Sequence, residues 1–152
     1  MRVYLDNCCY NRPYDDQTQL RISLETQAKL AIQSYVRSGN IELVTSYMTE
    51  YENEMNPVLS RKTSISRFQD EYSTVYVDES MDEKVKRMAE GIELTGIKHK
   101  DACHIACAML SNSDYFISTD DRLLKYKAEG MRLLTPIEFI NIWEDMNDDE
   151  HE

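Results

Sequence analysis

The sequence predicts a single α/β domain, a three-layer α/β/α sandwich with a central, mostly parallel sheet. Two observations predict this class. Short apolar segments rich in β-favouring residues recur along the 152 residues, and segments with helical periodicity separate them. Strands that alternate with helices pair in parallel, because each crossover helix returns the chain to the end of the sheet where the previous strand began.

The chain is predicted to form one domain. Its length suffices for one hydrophobic core, and no Pro/Gly/Ser-rich linker divides it. We place this domain at 1–146 and expect an acidic, disordered tail over 147–152.

The N-terminal half is predicted to contain two strands and three helices. In order, the elements are a strand over 2–6, a loop over 7–18, a helix over 19–37, a strand over 41–45, and helices over 47–56 and 59–72. Leucines, alanines and Tyr35 at three- and four-residue spacing define the first helix, which Gly39 ends. Pro57 separates the other two helices, because a proline disfavours helical geometry in the residue before it.

The C-terminal half continues the alternation. Its elements are a weak strand over 75–77, helices over 81–94 and 101–110, a strand over 115–118, a short helix over 120–129, a weak strand over 132–134 and a helix over 136–145. Ser80 with Glu83, and Thr135 with Glu138, have the spacing of a capping box. The segment DACHIACAML at 101–110 is apolar nearly all round, which predicts a helix inside the protein.

The net charge of −11 argues against a nucleic-acid partner, because Lys and Arg supply most of the affinity for phosphate backbones. Half of the imbalance lies near the C-terminus. Glu144 to Glu152 contains six acids and no Lys or Arg, which leaves 17 basic and 22 acidic residues, or −5, in the rest. Four acids that bind two divalent cations would make this body nearly neutral and its site attractive to anions.

The sequence predicts neither export nor membrane insertion, since it has no export signal and no continuous apolar run of about 18 residues. The cysteines, Cys8, Cys9, Cys103 and Cys107, suit a reducing compartment, so we expect the cytoplasm. Cys103 and Cys107 with His104 between them also allow a zinc site. Packing of small thiols in a buried helix is the favoured interpretation.

Acidic residues stand where a parallel sheet places its ligands, at the carboxyl ends of strands. Asp6 ends the first predicted strand, Asp101 opens the buried helix, and Asp120 with Asp121 follows the strand at 115–118. An ionised carboxylate beside a buried helix is costly unless N–H groups and a cation compensate it. The alternative that these acids merely cap turns and helices stays open.

The helix over 47–56 supplies a fourth acid. Its apolar side is defined by Met48, Tyr51, Met55 and Leu59. At about 100° per residue, Glu52 falls about 55° from the centre of this side, whereas Glu50 and Glu54 fall on the far side. Glu52 is therefore predicted to face inward, and the other two glutamates to form a solvated face.

Four converging carboxylates predict a cation site. Their mutual repulsion raises their proton affinity unless Mg²⁺ or Mn²⁺ is bound, and these hard cations prefer oxygen ligands. Two such ions about 4 Å apart can activate a water molecule and stabilise the leaving oxygen in a phosphoryl displacement. The pattern therefore indicates nuclease chemistry.

Four segments carry these acids: YLDN at 4–7, LVTSYMTEYEN at 43–53, KDACHIACA at 100–108 and FISTDDRLL at 116–124. In this order and spacing they resemble the acidic motifs of PIN-domain ribonucleases, which include the VapC-like toxins. The resemblance covers nearly the whole chain. It implies a PIN-like fold, divalent cations, hydrolysis of single-stranded RNA that leaves a 5′-phosphate, a homodimer, and an antitoxin partner if the chain is a toxin.

The resemblance also implies roles for individual residues. Those implied to be catalytic and to bind Mg²⁺ or Mn²⁺ are Asp6, Glu52, Asp101 and Asp120. Asp121 competes with Asp120 as the last metal-binding acid. Ser118 takes the place of the small hydroxyl residue that precedes that acid by two positions.

Other residues near the motifs are expected to support the acids. Asn7 is suited to bond a metal-bound water, although turn formation alone would justify it. His104 stands where many toxins have another acid, and we expect it to be buried and bonded to a carboxylate or carbonyl. The basic residues predicted to contact substrate phosphates, with solvated charge as the alternative, are Arg12, Lys98, Lys100 and Arg122.

We therefore predict a metal-dependent endoribonuclease. Two alternatives stay open. One is a non-catalytic PIN-like protein-interaction module, which the acidic surface would suit. The other is a Mg²⁺-dependent phosphoesterase that acts on DNA or small phosphates.

Overall fold

The computed structural model describes residues 1–151, with side chains described up to Asp148. The strands are β1 (Arg2–Leu5), β2 (Glu42–Ser46), β3 (Ser73–Val77), β4 (Tyr115–Ile117) and β5 (Arg132–Leu134). The helices are α1 (Asn7–Asn11), α2 (Leu20–Arg37), α3 (Tyr47–Glu54), α4 (Leu59–Tyr72), α5 (Asp82–Glu93), α6 (His99–Leu110) and α7 (Pro136–His151). Short 3₁₀ turns lie at Arg12–Tyr14, Glu79–Met81 and Leu123–Lys125.

In the described chain, five strands form one sheet in the order β3-β2-β1-β4-β5, and each neighbouring pair is parallel. This arrangement confirms the predicted α/β class. The chain runs outward from β1 to β3 and then crosses to β4 on the other side of β1. The direction of winding therefore reverses between β1 and β4, and such a reversal opens a crevice at the carboxyl ends of the strands.

Helices cover both faces of the sheet, which explains why its central strands are buried. Tyr4 and Val44 pack with α5 and α6 on one face. Val3 and Leu5 pack with α2, α4 and α7 on the other. Residues 102–108 of α6 are all buried, which confirms the predicted internal helix.

The predicted loop over 7–18 is wrong over residues 7–14, which form α1 and the 3₁₀ turn at Arg12–Tyr14. The side chain of Asp6 caps α1 by accepting a hydrogen bond from the N–H of Asn7. A helix of five residues is too short for apolar periodicity to reveal it.

The predicted helix over 120–129 is also wrong, because only Leu123–Lys125 forms a 3₁₀ turn there. The Oδ1 of Asp120 accepts a hydrogen bond from the N–H of Arg122 at 3.0 Å. Bonds of this local kind compete with helical backbone bonds. Tyr126 then adopts an extended conformation, with φ −65° and ψ 135°, and ends the turn.

One of the two predicted capping boxes is present. The N–H of Thr135 donates to Glu138 Oε1 at 3.2 Å, and the N–H of Glu138 donates to Thr135 Oγ1 at 3.1 Å. Ser80 does not cap α5. Its N–H instead donates to Asp78 Oδ1, within the 3₁₀ turn that precedes the helix.

Helix α7 continues to His151, past its predicted end. The disorder predicted for 147–152 stays a prediction, because Glu152 and the side chains from Asp149 onward lie outside the described residues. Within residues 1–151, no helix has both the length and the apolar character that a bilayer crossing requires.

Candidate active site

Asp6 and Ser118 lie at the carboxyl ends of the two strands between which the winding reverses. Asp6 follows β1 and is 6% exposed, and Ser118 follows β4 and is fully buried. Ser118 Oγ donates to Asp6 Oδ2 at 2.9 Å, and the N–H of Asn7 donates to Asp6 Oδ1 at 2.8 Å. The hydroxyl residue that the sequence places beside the acids thus orients the Asp6 carboxylate directly.

The loop after β4 directs its two acids to different places. The N–H of Asp120 donates to Ser118 Oγ at 3.1 Å, and the charge of Asp120 helps to raise the pKa of Asp101. Asp121 forms a bidentate ion pair with Arg21, with distances of 2.7 and 2.9 Å. Asp120 is therefore the acid of this loop that acts on Asp101. The metal-binding role predicted for Asp121 does not fit this geometry.

Glu52 faces inward from α3, as predicted, and its Oε1 lies 2.6 Å from His104 Nε2. Glu50 and Glu54 are exposed, as predicted. Burial opposes the charged form of Glu52, but the hydrogen bond and charge of His104, with the charge of Lys100, outweigh burial and lower its pKa. Glu52 is therefore a fixed, ionised carboxylate.

His104 is completely buried and bonded through both ring nitrogens. Its Nδ1 lies 2.6 Å from Tyr4 Oη, which also lies 2.7 Å from Ser46 Oγ. Burial lowers the pKa of His104, but the bond to Glu52 and the charges of Asp6 and Glu52 raise it overall. In its protonated form His104 donates from both nitrogens, and Tyr4 would then accept from His104 and donate to Ser46. The buried, carboxylate-bonded histidine that the sequence favours is confirmed.

Asp101 lies in the first turn of α6, whose N-cap position is Lys98, so Asp101 does not cap the helix. The pKa of Asp101 is raised to about 6. Burial is the largest cause, the charges of Asp6 and Asp120 are next, and that of Glu52 adds a smaller contribution. Asp6, Glu52 and Asp120 are therefore each near enough to Asp101 to act on its pKa, and we call these four residues the acidic cluster.

The donor chemistry of this cluster fits a hard divalent cation, because carboxylate oxygens are the preferred ligands and a cation relieves their repulsion. The amide oxygen of Asn7, Oδ1, lies next to Asp6 in the chain and is also an oxygen that a hard cation accepts as a ligand. It is buried and has no hydrogen-bond partner among the described residues.

The acidic side chains are not arranged to hold one ion in common. Within residues 1–151, no three His, Cys, Asp or Glu side chains are close enough to hold one ion in common. Ser118 holds the carboxylate of Asp6, and His104 holds that of Glu52. A shared ion therefore requires the carboxylates to come closer together than they are in this arrangement.

Cys103 and Cys107 pack in the core beside α5, as the packing interpretation predicts. Cys103 Sγ lies 3.7 Å from His99 Nε2. Burial raises the pKa of both thiols, to about 12 for Cys107. Zinc ligation requires the thiolate form, which this burial disfavours.

The basic residues predicted to contact substrate fall into two groups. Arg12 is committed within the fold, because its Nη2 lies 2.6 Å from Glu25 Oε1 and its Nη1 lies 3.2 Å from Asp15 Oδ2. A phosphate contact from Arg12 does not fit this arrangement. The exposed members are Lys98, Lys100 and Arg122. Their contacts with substrate stay predictions.

Sequence reasoning assigned no role to three side chains at this site: Tyr4, Cys8 and Ser46. Tyr4 precedes Asp6 by two residues, a spacing that places two side chains on one face of a strand, so its hydroxyl was a usable signal. Cys8 Sγ lies 3.3 Å from Asp6 Oδ2 and 3.4 Å from Ser118 Oγ. Ser46 caps α3, and no sequence pattern indicates that its hydroxyl also contacts Tyr4.

No family model and no curated protein sequence matches the chain. Among solved structures, one similar chain comes from VapBC2 of Rickettsia felis bound to a DNA fragment from their promoter, with a TM-score of 0.53 and 12% identity. Another comes from FitAcB of Neisseria gonorrhoeae, with a TM-score of 0.53 and 13% identity. Each match covers 88% of this chain and 97% of the solved chain. At such identities the likeness shows the fold, and the chain has the PIN-like fold that its acidic motifs predict.

Proposed function

We propose that the chain is a metal-dependent endoribonuclease in which Asp6, Glu52, Asp101 and Asp120 bind Mg²⁺ or Mn²⁺. The observation that carries this proposal is the placement of the acids: Asp6 directly follows β1, where Ser118 orients it, and Asp101 lies in the first turn of α6. Burial and the charges of Asp6 and Asp120 raise the pKa of Asp101 to about 6, which agrees with this placement. Carboxylates gathered at the carboxyl edge of a parallel sheet are costly without a cation and stand where this class of fold binds ligands. The PIN-like fold supports the same proposal.

The chain's own residues hold the acids in place for this reaction. Ser118 orients Asp6, and His104 holds Glu52. Lys100 is exposed and acts electrostatically on Glu52, so it is placed to attract a phosphodiester toward the cluster. Bound divalent cations would supply an activated water and stabilise the leaving oxygen.

We also propose that the chain is the toxin of a toxin–antitoxin pair, a cytoplasmic homodimer that cleaves single-stranded RNA and is neutralised by an antitoxin. The support is the motif resemblance to VapC-like toxins and the fold shared with chains of the VapBC2 and FitAcB structures. The four free cysteines suit a reducing compartment. Light scattering of the purified chain tests the dimer, and co-expression with the product of a neighbouring coding sequence tests the antitoxin.

Cleavage of a labelled single-stranded RNA tests the catalytic proposal. We expect the native protein to cleave only with Mn²⁺ or Mg²⁺ and to leave 5′-phosphate ends. Asp101→Asn should reduce the rate by at least about a hundredfold, since it weakens cation binding at the reacting phosphate. Asp70→Asn, at an exposed carboxylate on α4, is the matched control and should cleave normally. Cleavage that survives Asp101→Asn or needs no metal contradicts the mechanism.

The two alternative functions have their own readouts. A non-catalytic module should bind Mn²⁺ equally well before and after Asp6→Asn in a calorimetric titration. A phosphoesterase of the second kind should hydrolyse labelled DNA or small phosphate esters faster than RNA under the same conditions.

A further inference from the structure

A second polar feature lies on the face of the sheet opposite α6, in a cleft between α2, α4 and the 3₁₀ turn that follows α1. The cleft has a volume of about 390 Å³, which lies in the usual range for small-molecule sites, roughly 300–1,000 Å³. Its cationic residues are Lys29, Arg37 and Arg67, and among the described residues its single carboxylate is Glu71. The lining is therefore net positive in a chain whose net charge is −11.

Lys29 is the unusual member of this lining, because it is only 4% exposed. Its Nζ lies 5.6 Å from the ring centre of Tyr10. Among residues 1–148, no carboxylate oxygen lies within 4.0 Å of a side-chain nitrogen of Lys29, Arg37 or Arg67. Burial lowers the pKa of Lys29 to about 8, the Coulombic effect of Cys9 opposes this shift, and the charge of Arg37 adds a smaller contribution to it. Lys29 and Arg37 thus line one cleft without a carboxylate partner, which favours an anion as the occupant.

Aromatic rings beside these cations indicate more than a simple anion. The guanidinium of Arg37 lies 5.3 Å from the ring centre of Phe68 and 5.8 Å from that of Tyr72. Tyr14 also lines the cleft and is 39% exposed, so part of its ring surface is open to a ligand, although the guanidinium of Arg61 lies 5.0 Å from its ring centre. Nucleobases stack on such rings, and guanidinium groups pair with phosphate oxygens.

We infer that this cleft binds a nucleoside phosphate, with the phosphate near Lys29 and Arg37 and the base against the aromatic side chains. A free nucleotide and a nucleotide unit of an RNA strand have this chemistry in common. The inference goes beyond the proposed nuclease activity, because none of the four acids lines the cleft.

Calorimetric titration of the full chain in EDTA tests this inference, with adenosine 5′-monophosphate, inorganic phosphate and adenosine as separate probes. We expect saturable binding of one nucleotide per chain, tighter than that of either fragment. Lys29→Met and Arg37→Gln should each weaken nucleotide binding at least about tenfold, since each removes a charged partner of the phosphate. Arg87→Gln, at an exposed arginine on α5, is the matched control and should bind normally. Arg37 is itself exposed, so Arg37→Gln tests the site without changing the buried packing around Lys29.

A single-stranded tetra-adenylate distinguishes the two sources of the ligand. Tighter binding than that of the mononucleotide, lost in Arg37→Gln, identifies an RNA strand, and equal binding identifies a free nucleotide. Asp101→Asn should bind the mononucleotide as the native chain does, whatever happens to RNA cleavage, so the two proposals fail separately. Nucleotide binding no tighter than that of phosphate or adenosine, or unchanged in Arg37→Gln, overturns the inference.

Discussion

The acidic cluster and the cationic cleft handle buried charge differently. In the acidic cluster, Ser118 bonds Asp6 and His104 bonds Glu52. Burial and the charges of the neighbouring acids raise the pKa of Asp101. In the cleft, Lys29 has no carboxylate partner among residues 1–148, and its pKa is lowered. The acidic cluster gathers negative charges and the cleft gathers positive ones, so the net charge of −11 does not reveal the local charge of either region. A partner has to be assigned to each region separately.

The largest expected effect concerns the partners that hold the cluster. His104→Ala removes a fully buried ring that bonds both Tyr4 and Glu52, so it should lower the free energy of unfolding by about 2–4 kcal/mol in urea titrations. His99→Ala, at an exposed histidine on the same helix, is the control and should change it little. A loss below about 1 kcal/mol for His104→Ala would mean that the network does not stabilise the fold.

The next effect has the opposite sign and concerns the cleft. Lys29→Met should raise the free energy of unfolding by about 1–3 kcal/mol at pH 7, because the charged amine is disfavoured in the folded state. The folded pKa of about 8 lies below the unfolded value. The penalty is therefore complete below pH 8 and disappears as the pH rises toward about 10.4. A gain of equal size at pH 7 and at pH 10.5 would show that packing, rather than charge, is responsible.

A smaller increase in the free energy of unfolding is expected for a substitution in the acidic cluster. Asp101→Asn should stabilise the metal-free protein at pH 8 by about 1 kcal/mol, after allowance for the partial exposure of this carboxylate. The folded pKa of about 6 lies above the unfolded value, so the ionised form is the disfavoured one. The gain should therefore vanish as the pH falls from 6 to about 4. Asp70→Asn is the control, and thermal unfolding with EDTA across this pH range is the measurement.

The smallest effect separates the two neighbouring aspartates after β4. Asp121→Asn breaks only an exposed ion pair with Arg21, so RNA cleavage should stay within about twofold of the native rate. Asp120→Asn should abolish it. Equal losses of RNA cleavage in the two variants would show that Asp121 takes part in catalysis as Asp120 does.

Apolar patterns predicted the parallel sheet and the buried helix α6, because both are built from contiguous apolar residues. They predicted the inward position of Glu52 for an incomplete reason. Tyr51 and Met55, taken as part of the apolar side, are 54% and 64% exposed. The buried residues of α3 are Thr49 and Asn53, which make hydrogen bonds, so hydrophobic periodicity cannot reveal that face.

The cationic cleft could not be predicted from the sequence. Lys29 and Arg37 lie on α2 with two other charged residues, the exposed Arg21 and the buried Glu25, and nothing in the local sequence sets Lys29 and Arg37 apart from these. Their setting depends on Phe68 and Tyr72 of α4, more than 30 residues away, which approach only when both helices pack on the sheet. The bond between Tyr4 and His104 was hidden for the same reason.

Helix α1 connects the acidic cluster to the cationic cleft and sets their relative orientation. It starts at its cap, Asp6, in the acidic cluster, and its fourth residue, Tyr10, lies beneath Lys29 in the cleft. One inserted residue would rotate everything after it by about 100° around the helix axis. Anyone who transplants either region into another scaffold should therefore keep the spacing of these five residues before keeping their identities.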